Sequence, residues 1–248
     1  MRDVLVWNGA GLRPAEAGTD LLVADSWLVD GGAVAGLGHH RDRFVTACRA
    51  LGVSAEAFFD AVPDHLPAEG RWFPRVELGA GPELRLRVRP APPTSADVVL
   101  APHPGSDPRV APRTKGPDLM MLGDVRARAA ELGAGEAVLC AADGTLLEGA
   151  YSAVVWWRGD ALCVPADDLP VLDSVTRRRL LDEAARRGVE VRRERVTPGD
   201  LDGLETWSLS ALHGIRAVTA WVGCAVTAGP VERAGTWRRH LAAELVPV

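Results

Sequence analysis

The chain is 248 residues long, 47% apolar and 25% charged, with a formal net charge of −5 at pH 7 and a pI near 5.7. These figures exclude a disordered or low-complexity polymer and argue against a general nucleic-acid binder, and the length suffices for one or two domains with a substantial core. Of 28 basic side chains, 27 are arginine and one, Lys115, is lysine; there is one Asn (Asn8), one Ile (Ile215), one Tyr (Tyr151) and no Gln.

In chain order, residues 4–7 predict a short strand entering an Asn8-Gly9 turn, since both residues tolerate positive φ. An apolar strand follows at 21–29, a turn at Gly31-Gly32 and a third strand at 33–37. Phe44, Cys48 and Leu51 recur at i, i+4, i+7 and predict a helix over about 40–51, closed by Gly52. Ser54 is read as the cap of a second helix that Pro63 stops near Val62. Residues 76–78 and 84–88 alternate apolar with charged, as a half-exposed hairpin does. This is a small α+β unit, assigned to residues 1–108.

Between Arg89 and Pro117 stand eight prolines, broken by one strand-like run at 97–101. Residues 102–114 read as an interdomain connection, because proline cannot donate to a strand ladder. The second unit, 109–248, opens with a helix over 118–132 ended by Gly133. A hairpin about Asp143-Gly144 joins 137–141 to 146–147. Strands at 152–157 and 161–165, a helix over 173–187 ended by Gly188, and strands at 189–196, 206–209 and 217–222 precede a C-terminal helix over about 237–245.

The four cysteines, Cys48, Cys140, Cys163 and Cys224, form no C-x-x-C pair and read as reduced and buried. His39-His40 lacks a further ligand at metal spacing, so no metal is assigned. No apolar leader or 18-residue apolar run occurs, so the expectation is a soluble, cytoplasmic protein with neither membrane nor nucleic-acid partner. The arginine-rich stretch from Arg177 to Arg195 reads as a solvated face of local ion pairs. The eight tryptophans read as core and interface.

A lone lysine has two explanations. A coding bias that replaces Lys by Arg leaves one by chance, or the position requires an amine, since a guanidinium stays protonated and cannot form a Schiff base. Lys115 stands in Arg113-Thr114-Lys115-Gly116-Pro117-Asp118. Downstream come Leu147-Glu148-Gly149-Ala150-Tyr151-Ser152 and then Leu172-Asp173-Ser174-Val175-Thr176-Arg177 at the mouth of a helix. Upstream stands His40-Arg41-Asp42-Arg43-Phe44, and near the end Ser210-Ala211-Leu212-His213-Gly214-Ile215-Arg216.

In this order and spacing the chain resembles the class IV pyridoxal-phosphate family of aminotransferases and aminodeoxychorismate lyases. The resemblance implies Lys115 as the Schiff-base lysine and Glu148 as the carboxylate facing the ring nitrogen of pyridoxal 5'-phosphate. It implies a phosphate cradle from Arg43, Ser174, Val175, Thr176, Ser210 and Ala211. Ser26, Trp27, His213 and Arg216 are the implied substrate contacts. The chemistry suits these residue types. A carboxylate keeps a pyridine nitrogen protonated, helix amides attract a phosphate, and an arginine grips one bidentately.

The chain departs from the family pattern at Ala153, where Asn is usual, at Ser174, where Gly is usual, and at Met120, where an aromatic is usual. The family's G-x-F-E-T-x-R strand is represented only by Val23-Ala24-Asp25-Ser26-Trp27-Leu28.

The implied fold is that of a two-domain fold-type-IV enzyme, with a small N-terminal α+β domain and a larger C-terminal α/β domain built on a pseudo-barrel sheet. The enzyme would act on a small-molecule amine substrate, as a homodimer. The S-A-L-H-G-I-R segment resembles the N-A-L or N-S-L-x-G turn of the lyases and favours formation of 4-aminobenzoate and pyruvate from 4-amino-4-deoxychorismate. The alternatives are an aminotransferase of a small branched-chain or D-amino acid, and a protein of the same fold that has lost use of the cofactor.

Overall fold

The computed structural model describes residues 3–16 and 18–247. Its contacts group the chain into two units. The first comprises the described residues of Met1–Pro93, Thr114–Pro117 and Glu244–Val248; the second comprises Thr94–Arg113 and Asp118–Ala243. The chain first crosses between them at Pro93/Thr94, ahead of the boundary near residue 108 expected from composition, and the Lys115 segment is counted with the first unit.

The first unit contains β1 (Asp3–Trp7), β2 (Leu12–Pro14), β3 (Val23–Ser26), β4 (Val29–Asp30), β5 (Ala33–Ala35), α1 (Leu37–Ala50), α2 (Glu56–Asp60), β6 (Arg71–Trp72), β7 (Arg75–Leu78) and β8 (Leu84–Val88). Five strands form an antiparallel sheet in the order β2-β1-β8-β7-β3. Its core gathers Val23, Trp27, Phe44, Cys48, Phe58, Phe59, Val76, Leu78 and Leu86. The apolar run at 21–29 is two strands rather than one. The helix expected from about residue 40 starts three residues earlier, because Gly36 takes φ 67 and turns the chain straight out of β5. Helix α2 has Ala55, not Ser54, at its N-cap.

The second unit holds β9 (Asp97–Ser106), α3 (Leu119–Glu131), β10 (Glu136–Cys140), β11 (Leu146–Gly149), β12 (Ala153–Arg158), β13 (Ala161–Pro165), α4 (Val175–Arg186), β14 (Val191–Glu194), β15 (Thr206–Ser210), β16 (Gly214–Trp221) and α5 (Ala234–Ala242). Eight strands form one curled half-barrel sheet in the order β11-β10-β9-β16-β15-β12-β13-β14. One face packs Val155, Trp157, Trp207 and Ala217 against α4 and α5 through Leu180 and Trp237. The other buries Val98, Leu100, Val138, Trp156 and Val218.

Residues 102–106, expected in the connection, belong to β9 instead. Strand β16 pairs β9 only as far as Leu100, and β10 follows it past a register shift to Ser106. Pro102 and Pro104 therefore sit where one side of β9 is no longer in the ladder, the position in which a strand tolerates proline. The chain ends with β17 (Leu245–Pro247), which pairs β5 of the first unit; α5 stops at Ala242, so Leu245 is strand rather than helix. Of the cysteines, Cys48 and Cys163 are buried, while Cys224 is exposed, against expectation. No helix among the described residues is long and apolar enough to cross a membrane.

Candidate active site

In the first unit the sheet edge β3 and helix α1 converge on Asp25, which is fully buried. His40 and Arg43 stand three residues apart and so share one face of α1. Arg43 grips Asp25 bidentately, with Nε donating to Oδ2 at 2.8 Å and Nη2 to Oδ1 at 2.7 Å. His40 Nδ1 lies 2.8 Å from Asp25 Oδ1, and Ser26 N donates to the same oxygen at 2.7 Å. Burial works to raise the Asp25 pKa, but Arg43 and His40 outweigh it and hold the carboxyl well below the usual range. Burial lowers His40 despite Asp25, so the ring is neutral and Nδ1–H is the donor.

Lys115 runs beside this group. Its carbonyl accepts from Ala24 N at 2.7 Å, fixing the segment along β3. Gly116, at φ 150, makes the approach possible: a Cβ there would meet Val23 Cα at 2.8 Å and Leu22 O at 2.9 Å. Among the described residues the Lys115 amine makes no hydrogen bond and no ion pair. Burial pulls it from 10.5 down to about 8; Asp25 opposes the fall, and Arg43, Arg89 and Arg75 add to it. An amine with that pKa is substantially neutral at mildly alkaline pH, the state in which its lone pair attacks a carbonyl.

In the second unit Glu148, 4% exposed, projects from β11. Its Oε1 accepts from Leu172 N at 2.7 Å and from Arg109 Nη1 in a close ion pair. Arg109 is in turn held by Asp107. Burial raises Glu148 above its ordinary value even against Arg109.

The loop from Leu172 leads to α4. Ser174 caps that helix with φ −70 and ψ 121, its Oγ accepting from Arg177 N at 3.3 Å. This is ordinary extended backbone, so the serine stands where the family uses glycine without restricting the loop. The amides of Val175 and Thr176 open the helix and have no intrahelical acceptor.

After β15, Ser210 Oγ accepts from His213 N at 3.2 Å and closes the turn Ser210-Ala211-Leu212-His213-Gly214, with Gly214 at φ 65. His213 Nδ1 accepts from Ser95 N at 3.2 Å, and burial lowers its pKa to about 4, helped by Arg216 and Arg126. Arg216 is 4% exposed, donating to Ser208 Oγ at 3.1 Å and lying 3.5 Å from Glu136 Oε2.

The expected residues thus fall into separate groups. The first unit places Lys115, Arg43 and Ser26 around Asp25, whereas Trp27 is 1% exposed, packed on Phe59 and His40 in the core. Arg43 already holds a carboxylate with two of its donors. The second unit brings Glu148, Ser174, Val175 and Thr176 onto neighbouring segments. Arg216 is committed to Glu136 and Ser208. Ala153 packs in the core and Met120 is 86% exposed. Sequence reasoning missed Asp25, Asp107, Arg109 and Glu136. Asp25 had a signal, since it stands in the strand aligned with the family's F-E-T run.

The profile of the amino-transferase class IV family matches residues 22–221. The chain belongs to that family, whose cofactor is pyridoxal phosphate, and is an enzyme. No curated protein matches the sequence. Solved structures share the fold at low identity. A Mycobacterium tuberculosis protein described as a hypothetical aminotransferase is 20% identical, with a TM-score of 0.81 and 98% of each chain covered. The branched-chain aminotransferase of Thermoproteus uzoniensis, solved with norvaline, is 18% identical with a TM-score of 0.80 over 99% of each chain. A Legionella pneumophila protein assigned as a 4-amino-4-deoxychorismate lyase is 15% identical, with a TM-score of 0.80 over 93% of this chain and 96% of its own.

Proposed function

We propose that the chain is a pyridoxal-phosphate-dependent lyase that splits 4-amino-4-deoxychorismate into 4-aminobenzoate and pyruvate. The observation that carries the cofactor chemistry is Lys115: the chain's one side-chain amine, desolvated to about 8 and without a partner among the described residues. When bound, pyridoxal phosphate supplies a conjugated electron sink for the bond that breaks beside the substrate nitrogen.

Each unit offers residues whose chemistry suits such a group. Lys115 would hold it through its amine, and Nζ would take and return protons. Glu148 offers a carboxylate oxygen to a ring N–H. The open amides of Val175 and Thr176 and the turn at Ser210 and Ala211 would receive the phosphate. Arg43 is oriented by Asp25, which fixes the guanidinium plane before any anion arrives.

The lyase assignment is supported by the Ser210–Gly214 turn, whose sequence resembles the N-A-L or N-S-L-x-G turn of the lyases. A second reading, amino transfer from a small amino acid, is favoured by the likeness to the Thermoproteus uzoniensis enzyme along 99% of each chain. The family resemblance also favours a homodimer in the cytoplasm, and sedimentation equilibrium reads the former directly.

The purified protein should absorb in the visible, and borohydride should fix the cofactor to Lys115 alone. A colourless protein that ignores added pyridoxal phosphate overturns the enzyme reading. Release of 4-aminobenzoate without a keto-acid acceptor identifies the lyase; turnover that requires an acceptor overturns it in favour of the transaminase.

A further inference from the structure

We propose that Arg109 is a positioning residue for Glu148: it keeps that buried carboxylate ionised and turned so that Oε2 is the oxygen available to the cofactor's ring N–H. The inference rests on the proposed role of Glu148 and adds the residues that make the role possible.

Three observations carry it. Both hydrogen bonds that Glu148 receives, from Arg109 Nη1 and Leu172 N, fall on Oε1, and Oε2 takes none among the described residues. The guanidinium is saturated. Nε donates to Asp107 Oδ1 at 2.8 Å, Nη2 donates to Asp107 Oδ2 at 2.8 Å and Pro170 O at 3.2 Å, and Nη1 reaches Pro112 O at 3.5 Å as well as Glu148. Asp107 is itself anchored, with its amide donating to Cys140 O at 2.8 Å at the end of β10. One side chain therefore ties the end of β9, the Glu148 strand and the loop that leads to α4.

Such a fork has no lysine equivalent, because an ammonium cannot present parallel donors to two carboxylates and two carbonyls in one plane. The electrostatics point the same way. Glu148 is desolvated, and an isolated carboxyl in that position takes up a proton. A neutral Glu148 would donate to the ring nitrogen rather than accept from it, and the pyridine would lose its charge. Asp107 balances the arginine charge, so with Glu148 ionised the group as a whole carries one net negative charge to meet a ring N–H.

The test is the pH dependence of cofactor affinity, read by absorbance titration of the apoenzyme with pyridoxal phosphate in wild type, Arg109→Met, Arg109→Lys and Arg109→Met/Glu148→Gln. For Arg109→Met, affinity relative to wild type should fall about tenfold or more at pH 7, the loss of one charge-assisted hydrogen bond. The deficit should then narrow as pH rises and Glu148 ionises.

The double variant should lose that recovery. Arg109→Lys keeps a charge but not the fork, and should bind several-fold more weakly with a profile parallel to wild type. A uniform loss at every pH in Arg109→Met, or a recovery that persists without Glu148, would mean a merely structural role and overturns the proposal. If Arg109→Met does not fold, an Arg109→Lys enzyme with wild-type affinity overturns it equally. Wild-type protein that binds no cofactor would instead overturn the underlying reading.

Discussion

Asp25 is the residue on which the first unit's polar centre turns. It is sealed from solvent beneath α1 and carries the negative charge that Arg43 pairs with and His40 hydrogen-bonds. Removing one member of a buried ion pair strands the other, so Asp25→Asn should cost about 3 kcal/mol at pH 7 by chemical denaturation. The pH dependence has a definite sign. The folded pKa lies below that of the unfolded chain, so the contribution is complete above about pH 4 and is lost as pH falls. Asp25→Asn should therefore show a shallower decline in stability below pH 4 than wild type, and an equally steep decline would refute the assignment. Lys115 and Glu148 were legible in the sequence because one was unique and the other stood in a motif. Asp25 was marked only by its place in the strand aligned with the family's F-E-T run, and Asp107 and Arg109 were not marked at all. Asp25 and Arg109 draw their significance from partners 18 and 39 positions distant, and an arginine among 27 carries no mark of its own.

At the level of elements, the apolar period found α1, α3 and α4 and most strands, whereas the proline rule failed in β9. The reason is local: proline is excluded by a neighbour's need for a donor, and β16 has left the ladder before Pro102 is reached. Helix starts were equally dependent on contacts that sequence spacing does not reveal. Glu205, 4% exposed, caps α5 from 28 residues away, accepting from Arg233 N at 2.9 Å and Ala234 N at 3.1 Å as well as from Trp207 Nε1 at 2.9 Å. Glu205→Ala leaves all three donors unmet and should cost about 2 kcal/mol or more. Ser174→Ala at the mouth of α4 loses a single cap and should cost about 1 kcal/mol, Ser174→Gly only a few tenths. Denaturant midpoints rank the three, and a Ser174→Ala cost above that of Glu205→Ala contradicts the account of both caps.

For the whole molecule, a chain with 27 arginines and one lysine has an unusual response to alkali. Its arginine–carboxylate pairs keep their charges far beyond the range in which lysine pairs dissolve, so alkaline stability falls to other groups. Burial pushes the thiol of Cys48 up to about 12, with Glu56 adding to it, and those of Cys140 and Cys163 up to about 11. In the unfolded chain thiols ionise near about pH 8.5. Between that pH and about 11 the unfolded chain gives up protons that the folded chain retains, so each thiol makes stability fall as pH rises. Lys115 acts in the opposite sense, since its amine loses its proton near 8 when folded and near about 10.4 when unfolded. Three thiols outweigh one amine, and the denaturation free energy of the apoenzyme should decline from pH 8 to 10.5. Replacing Cys48, Cys140 and Cys163 together by Ala should reverse the slope, leaving a gradual rise that Lys115→Met then flattens. A decline that survives the triple replacement would show that the arginine pairs, not the thiols, give way in alkali.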